Sequence, residues 1–300
     1  MNSLNHISNL LKTSKEIQID DSSKIIIMSD CHRGVGDWTD SFAKNQNIYF
    51  AALSYYYNNN YSYMELGDGD ELWENTKIAD IIIEHSNVFW LLSKFHKSNR
   101  FYWIYGNHDM VKKDSSYVEN NLNNYNNEWE RIETLFDDIN ITEGLTLRYK
   151  DYPNKILLIH GHQVDYLNNN LWKLSRFLVR FLWRPLESLG INDRTRTAKN
   201  YKKGSEVARK LKRWVKKEKH LVIAGHNHRP EFPEIGDTPY FNDGSCVHPR
   251  CITGIEISGG DIVLVKWSIK TNEDGILFIG RDILGGPRKL EDYFRLLPFI

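Results

Sequence analysis

The chain has 300 residues, with 39 Lys and Arg against 39 Asp and Glu, so no net field draws it as a whole to nucleic acid. Apolar residues at 41% and charged ones at 26% describe an ordinary globular protein with ample chain to bury a core. The charge is nonetheless uneven, because residues 171–220 hold 16 Lys and Arg against 4 Asp and Glu, a local +12 balanced by −12 elsewhere.

Cys31, Cys246 and Cys251 form neither a CxxC pair nor an even framework, which fits a reduced compartment. Met1 to Asp20 is rich in Asn, Ser and Lys and shows no apolar leader segment, and no stretch approaches the ~20 apolar residues of a membrane span. The expectation is a cytoplasmic protein, with peripheral contact at the inner membrane face as its one route to a bilayer.

Asn2 to Lys15 reads as a short helix or a loose segment. Lys24-Ile-Ile-Ile-Met28 is a continuous apolar run, the mark of a strand covered on both faces, and it ends in Ser29-Asp30-Cys31-His32-Arg33-Gly34. A helix is predicted over Ser41–Tyr57, then a strand over Tyr63–Leu66 that leads into Gly67-Asp68-Gly69-Asp70-Glu71. Ile78–His96 has helical periodicity. Phe101–Tyr105 is a third strand, running into Gly106-Asn107-His108-Asp109. Met110–Phe136 is polar and Asn-rich, an irregular loop with a helix. Leu145–Lys150 and Lys155–Ile159 flank the turn Asp151-Tyr-Pro-Asn154, and the second runs into His160-Gly161-His162. Leu221–Ala224 runs into Gly225-His226-Asn227-His228. Ile252–Ile257, Asp261–Ser268 and Ile276–Ile279 form an antiparallel tail. One domain over 1–300 with a helical insertion at 166–219 fits this order.

The polar residues gather where strands end: Asp30, His32, Asp68, Asn107, His160, His226 and His228. In open α/β sheets, ligands bind beyond the carboxyl ends of strands. Carboxylates, imidazoles and an amide suit divalent Mn, Fe, Zn, Co or Ni. The i, i+2 spacing of Asp30/His32 and His226/His228 puts both members of each pair on one face if the strand end stays extended. Seven ligands exceed one tetrahedral ion and suit two metals sharing a carboxylate, the arrangement that clamps the attacking and leaving oxygens of a phosphoryl transfer.

Asp30-x-His32, Gly67-Asp68, Gly106-Asn107-His108-Asp109, His160-Gly161 and Gly225-His226-x-His228 resemble, in order and context, the five motifs of the calcineurin-like metallophosphoesterases. The resemblance runs from about Ile25 to Ser245. It implies an α/β (α+β) fold, a four-layer αββα sandwich of two packed sheets flanked by helices, here with a helical cap. It implies two divalent ions per chain, manganese first, and attack of a metal-activated hydroxide on phosphorus. Asp30, His32 and His228 would hold the first ion, Asp68 would bridge, and Asn107, His160 and His226 would complete the second. His108 would protonate the leaving oxygen or stabilise the phosphate, with Asp109 orienting its ring.

Around this set, Arg33 is a candidate contact for a phosphate oxygen, being a fixed fork donor. Asp70 and Glu71 read either as residues supporting the metal ligands from behind or as helix caps, with capping preferred. In the insertion, Lys173, Arg176, Arg180 and Arg184 follow steps of three and four along one stripe of a helix over 171–184. Pro185 ends or kinks that helix, and a second helix over Ser205–Lys217 sets Val207, Leu211, Trp214 and Val215 against a basic face. The pair reads as a helical hairpin with a solvated face, as a substrate cap in which Lys173, Arg176 and Arg180 meet phosphate, or as a surface docking on anionic lipid or nucleic acid. The cap is similar to the helical lid of the UDP-diacylglucosamine pyrophosphatases, a branch of the same superfamily. The expected activity is hydrolysis of a phosphate ester or pyrophosphate on an anionic, nucleotide- or lipid-linked molecule, with nucleic acid a weaker partner. A UDP-sugar pyrophosphatase and a non-catalytic interaction scaffold on the same fold are the alternatives.

Overall fold

The computed structural model describes residues 3–126, 132–165, 171–183 and 201–297. Lys24–Met28 (β2) lies between two cores because its side chains alternate: Ile25 and Ile27 enter one apolar cluster, and Ile26 and Met28 the other. This one strand accounts for the layering. The first cluster fills the space between two sheets and continues under the helices Ser3–Thr13 (α1) and Tyr201–Glu218. The second joins the outer face of the larger sheet to the helices Gln46–Asn58 (α2), Ile78–Glu84 (α3) and Ser86–Lys97 (α4). Helix, sheet, sheet and helix make four layers.

The larger sheet has seven strands. Parallel to β2 run Ser62–Leu66 (β3), Phe101–Ile104 (β4) and Ile141–Thr142 (β7). On the other side of β2 the antiparallel strands Cys251–Ser258 (β12), Asp261–Thr271 (β13) and Leu277–Lys289 (β14) complete the sheet. The smaller sheet has five, in the order Glu16–Ile19 (β1), Gly144–Tyr149 (β8), Ile156–Ile159 (β9), Leu221–Ala224 (β10) and Tyr240–Asn242 (β11). Asn124–Asn126 (β5) and Ile132–Thr134 (β6) form a separate ribbon. Register sets the site. Met28 pairs with Glu65, Leu66 with Ile104, and Ala224 with Ile159, so the carboxyl ends of β2, β3 and β4 align in one sheet and those of β9 and β10 align in the other.

The segment expected to form one helix over Ile78–His96 breaks at His85. That buried imidazole contacts Asp40 Oδ2 at 2.9 Å and Gln46 Oε1 at 3.1 Å, and tying it to the preceding loop interrupts the helix. The helix expected from Ser41 begins at Gln46, since Asp40 Oδ1 accepts from the amides of Phe42 and Ala43 in a turn. The expected tail strand at Ile276–Ile279 extends to Lys289 along β13.

The insertion divides. Its second helix, Tyr201–Glu218, buries Val207, Leu211, Trp214 and Val215 in the first cluster and forms part of the outer helical layer, with Arg209, Arg213, Lys216 and Lys217 facing solvent. Its first helix, Trp172–Leu178, widens into a π-helical turn at Val179–Trp183. Residues 166–170 and 184–200, including Arg184 and Pro185, fall outside the described residues, as does the side chain of Lys173.

Candidate metal centre

The loops that leave the aligned strand ends bond to one another. Asp30 N donates to Gly67 O (3.0 Å), His32 N to Asp68 O (2.8 Å), and Gly225 N to His160 O (3.0 Å), so pairing continues past the last ladder residue. Glycine makes the approach possible. A Cβ on Gly106 would fall 2.1 Å from Asp68 Oδ1, and one on Gly67, at φ 85°, 2.6 Å from Gly106 N. Asp68 Oδ1 instead accepts from His108 N at 2.8 Å.

Asp30, His32, Asp68, His226 and His228 all have left-handed backbone, with φ between 49° and 71°. This is uncommon away from glycine, although Asp and His tolerate it better than most residues, and such outliers gather at ligand clamps. The extended strand end expected from the i, i+2 spacing is therefore corrected. β2 stops at Met28 and β10 at Ala224, and a left-handed turn aims each ligand separately.

As a result, His226 and His228 part company. Among the described residues one cluster joins Asp30, His32 and His228 and a second joins Asp68, His160 and His226, each with its ligand atoms within 4.8 Å of one another; a third group, His32, Glu71 and His108, shares His32 with the first. In the first, His228 Nε2 lies 2.9 Å from Asp30 Oδ1 and 3.3 Å from His32 Nε2. In the second, His160 Nε2 lies 3.1 Å from Asp68 Oδ2, and Asp165 Oδ2 lies 3.6 Å from His226 Nε2. The same Asp68 oxygen is not remote from the first cluster: Oδ2 is also 3.8 Å from His32 Nε2. Asp30 Oδ1, Asn107 Oδ1, His160 Nε2 and His226 Nε2 are buried without a hydrogen bond. Buried polar atoms are ordinarily satisfied, so orphaned acceptors converging from four loops are the donor set a divalent cation takes up. These residues fit divalent metal ions.

The electrostatics point the same way. Burial pushes the Asp30 carboxyl up, but the imidazoles of His228 and His160 outweigh it and hold it well below the carboxylate range. Asp68 behaves alike under His160 and His108. Burial lowers His160, and the Asp68 and Asp30 carboxylates more than reverse this, raising it to about 9. The negative charge that attracts a proton here would attract a metal ion in its place.

Ligand orientation comes from beneath. His160 Nδ1 contacts Leu66 O at 2.7 Å, which leaves Nε2 to face inward. Ser29 Oγ lies 2.5 Å from Asp30 Oδ2 and 2.8 Å from Asp243 Oδ1. One hydroxyl proton cannot serve both carboxylates, and burial together with the Asp30 charge raises Asp243 well above its ordinary value.

His108 stands beside the first cluster. Its Nδ1 contacts Glu71 Oε1 at 2.8 Å, its face stacks on Trp73 with centroids 4.1 Å apart and planes 22° apart, and its edge meets His32 at 4.6 Å. The role expected of Asp109 is corrected here. Asp109 accepts from Gly106 N at 2.6 Å and from Lys112 Nζ at 2.8 Å, so it closes the turn while Glu71 orients the ring. Glu71 in turn is no cap. Its second oxygen contacts His32 Nδ1 at 3.0 Å, so one buried carboxylate fixes both a ligand histidine and His108. Burial raises Glu71, and the two imidazoles, His108 first, bring it well below the ordinary range. Its place three residues after Asp68 was the available signal, and a loop carboxylate carries no mark of which imidazole it will meet.

Arg33 is likewise corrected as a phosphate contact. It is fully buried, with Nη1 and Nη2 donating to Glu65 at 2.9 and 2.8 Å and Nε to Asp70 at 2.7 Å. Lys112 joins the same buried network through Asp70 Oδ2 at 2.5 Å. The fork expected to face substrate is spent on two carboxylates beneath the loops. Arg176 lies over the Trp172 ring at 5.0 Å. Arg180 donates from Nε to Trp73 O at 3.0 Å and from Nη2 to Leu72 O at 2.9 Å and Asn75 O at 3.1 Å, which turns it toward protein backbone.

Residues 23–230 match the family described as Calcineurin-like phosphoesterase, and the chain belongs to that family. Comparison with curated proteins gives no match. Among solved structures, Vps29 of Chaetomium thermophilum aligns at a TM-score of 0.38 and 10% identity, covering 88% of this chain and 96% of that one. The same protein complexed with a RaPID-derived cyclic peptide aligns at 0.34 and 10%, with the same coverage. Among the described residues no helix is long and apolar enough to cross a membrane.

Proposed function

We propose that the chain is a dinuclear metal-dependent hydrolase of phosphate esters or pyrophosphates. The observation that carries this reading is the pairing of two ligand clusters, Asp30/His32/His228 and Asp68/His160/His226, beside a histidine whose Nδ1 is already committed to Glu71. Divalent ions held there, manganese being the first to try, would polarise the phosphoryl oxygens and lower the pKa of water. Asp68 is the candidate bridge and Asn107 Oδ1 a neutral ligand to the second ion. With Nδ1 occupied, His108 offers Nε2 to the leaving oxygen and can give it a proton as the ester bond breaks.

The first insertion helix supports a reading of the substrate class. Leu174, Phe177 and Phe181 are 53%, 57% and 64% exposed on a segment tied to the Trp73 loop, a surface suited to the apolar part of a lipid- or nucleotide-linked phosphate. A UDP-sugar pyrophosphatase is the specific form of this reading, and a peripheral membrane contact would use the same face. The test is elemental analysis of protein purified without added metal, with hydrolysis of bis-p-nitrophenyl phosphate and of UDP-sugars assayed under Mn, Co, Ni and Zn. About two ions per chain with turnover are expected. Absence of both under every ion would favour a scaffold.

A further inference from the structure

The insertion reaches the candidate acid through the protein itself. Arg180 donates to the carbonyls of Leu72, Trp73 and Asn75, three acceptors on one short loop. That loop presents the Trp73 indole, 4% exposed, flat against His108. It also sends Trp73 N to Glu71 Oε1 at 3.3 Å, the same oxygen that contacts His108 Nδ1. Among the described residues the indole Nε1 has no hydrogen-bond partner, and the ring is placed by its backbone and by stacking. A guanidinium gripping three carbonyls fixes that backbone as no single hydrogen bond would.

We propose that Arg180 and Trp73 are positioning residues for His108, so that the π-helical turn of the insertion completes the acid's alignment. This rests on His108 acting as the proton donor. It replaces the sequence-based expectation of Arg180 as a phosphate ligand. A misaligned acid slows only those reactions whose leaving group needs a proton. A lost substrate contact would instead raise KM for every leaving group.

The experiment compares aryl phosphate diesters with p-nitrophenol or phenol as the leaving group, in wild type, Arg180→Ala, Trp73→Ala and Trp73→Phe, with bound metal measured in each. In the first two variants the rate ratio of p-nitrophenyl to phenyl ester should rise by about 10–100-fold, carried by kcat. Trp73→Phe, which keeps a flat ring, should recover most of it. An unchanged ratio, a change confined to KM, or loss of metal in step with activity would overturn the proposal. Should wild type hydrolyse neither ester, the hydrolase reading fails separately, and labelling of His108 by diethylpyrocarbonate, read by mass spectrometry, decides the positioning. Arg180→Ala should label several-fold faster, and equal rates would end the idea.

Discussion

The loops at the strand ends and the first insertion helix use the same residue types to opposite ends. In the loops, charged and polar side chains are almost wholly buried, and each is held by a partner or turned into one of two clusters. In the helix Trp172–Leu178 and the turn after it, apolar side chains stand in solvent while an arginine turns inward to backbone. Side-chain chemistry thus marks the residues that converge at the strand ends, though not the tasks of Arg33, Glu71 and Asp109 in the same loops. It is silent where a helix offers several environments.

The largest effect is expected from breaking the loops. Asp68→Ala removes an oxygen that faces both clusters. It should abolish metal binding and lower turnover by at least ~10³-fold, about 4 kcal/mol of barrier; metal analysis and initial rates read this together. His108→Ala should keep the metal and lower kcat by ~10²–10⁴. Equal metal loss in the two variants would erase the division between ligand and acid. Arg33→Met sharpens the contrast between buried and exposed arginine. It strands Glu65 without its cation, leaves Asp70 with Lys112 alone, and should reduce unfolding free energy by about 3–5 kcal/mol in urea titration. A stable variant with raised KM would return Arg33 to the substrate.

The smallest effect lies where the insertion rejoins the sheet. Burial, then the Lys155 charge, lowers His220 below the ordinary histidine value, and its neutral Nδ1 accepts from Lys155 N at 3.0 Å. With the folded pKa depressed, the unfolded chain takes the proton first. The stability from His220 is therefore full above about pH 6.5 and is lost as pH falls below it. The drop in urea midpoint between pH 7.5 and 5.5 should be smaller in His220→Asn than in wild type.

The convergence of the candidate ligand positions was legible because each follows an apolar run that reads as a strand, and because aligned strands bring their ends together. Most strands were legible in the same way, while their division into two sheets came from the family resemblance. Glu16–Ile19 was not, since its four residues gain a partner only by pairing with β8 some 130 positions later. Tyr240–Asn242 is shorter still and lies between a proline and a turn. Glu71, Arg33 and Arg180 share one cause of misreading. Their partners are an imidazole pair, a buried carboxylate pair and three carbonyls, all remote in sequence or carried by backbone, and residue type reveals none of them.

The left-handed backbone at Asp30, His32, Asp68, His226 and His228 changes what mutagenesis of these positions measures. Alanine there deletes the ligand and also inherits a conformation that costs an ordinary L-residue about 1–2 kcal/mol. Glycine deletes the ligand and accepts the backbone. Matched alanine and glycine replacements at one position would separate chemistry from geometry, and a difference in their melting temperatures would weigh the backbone alone.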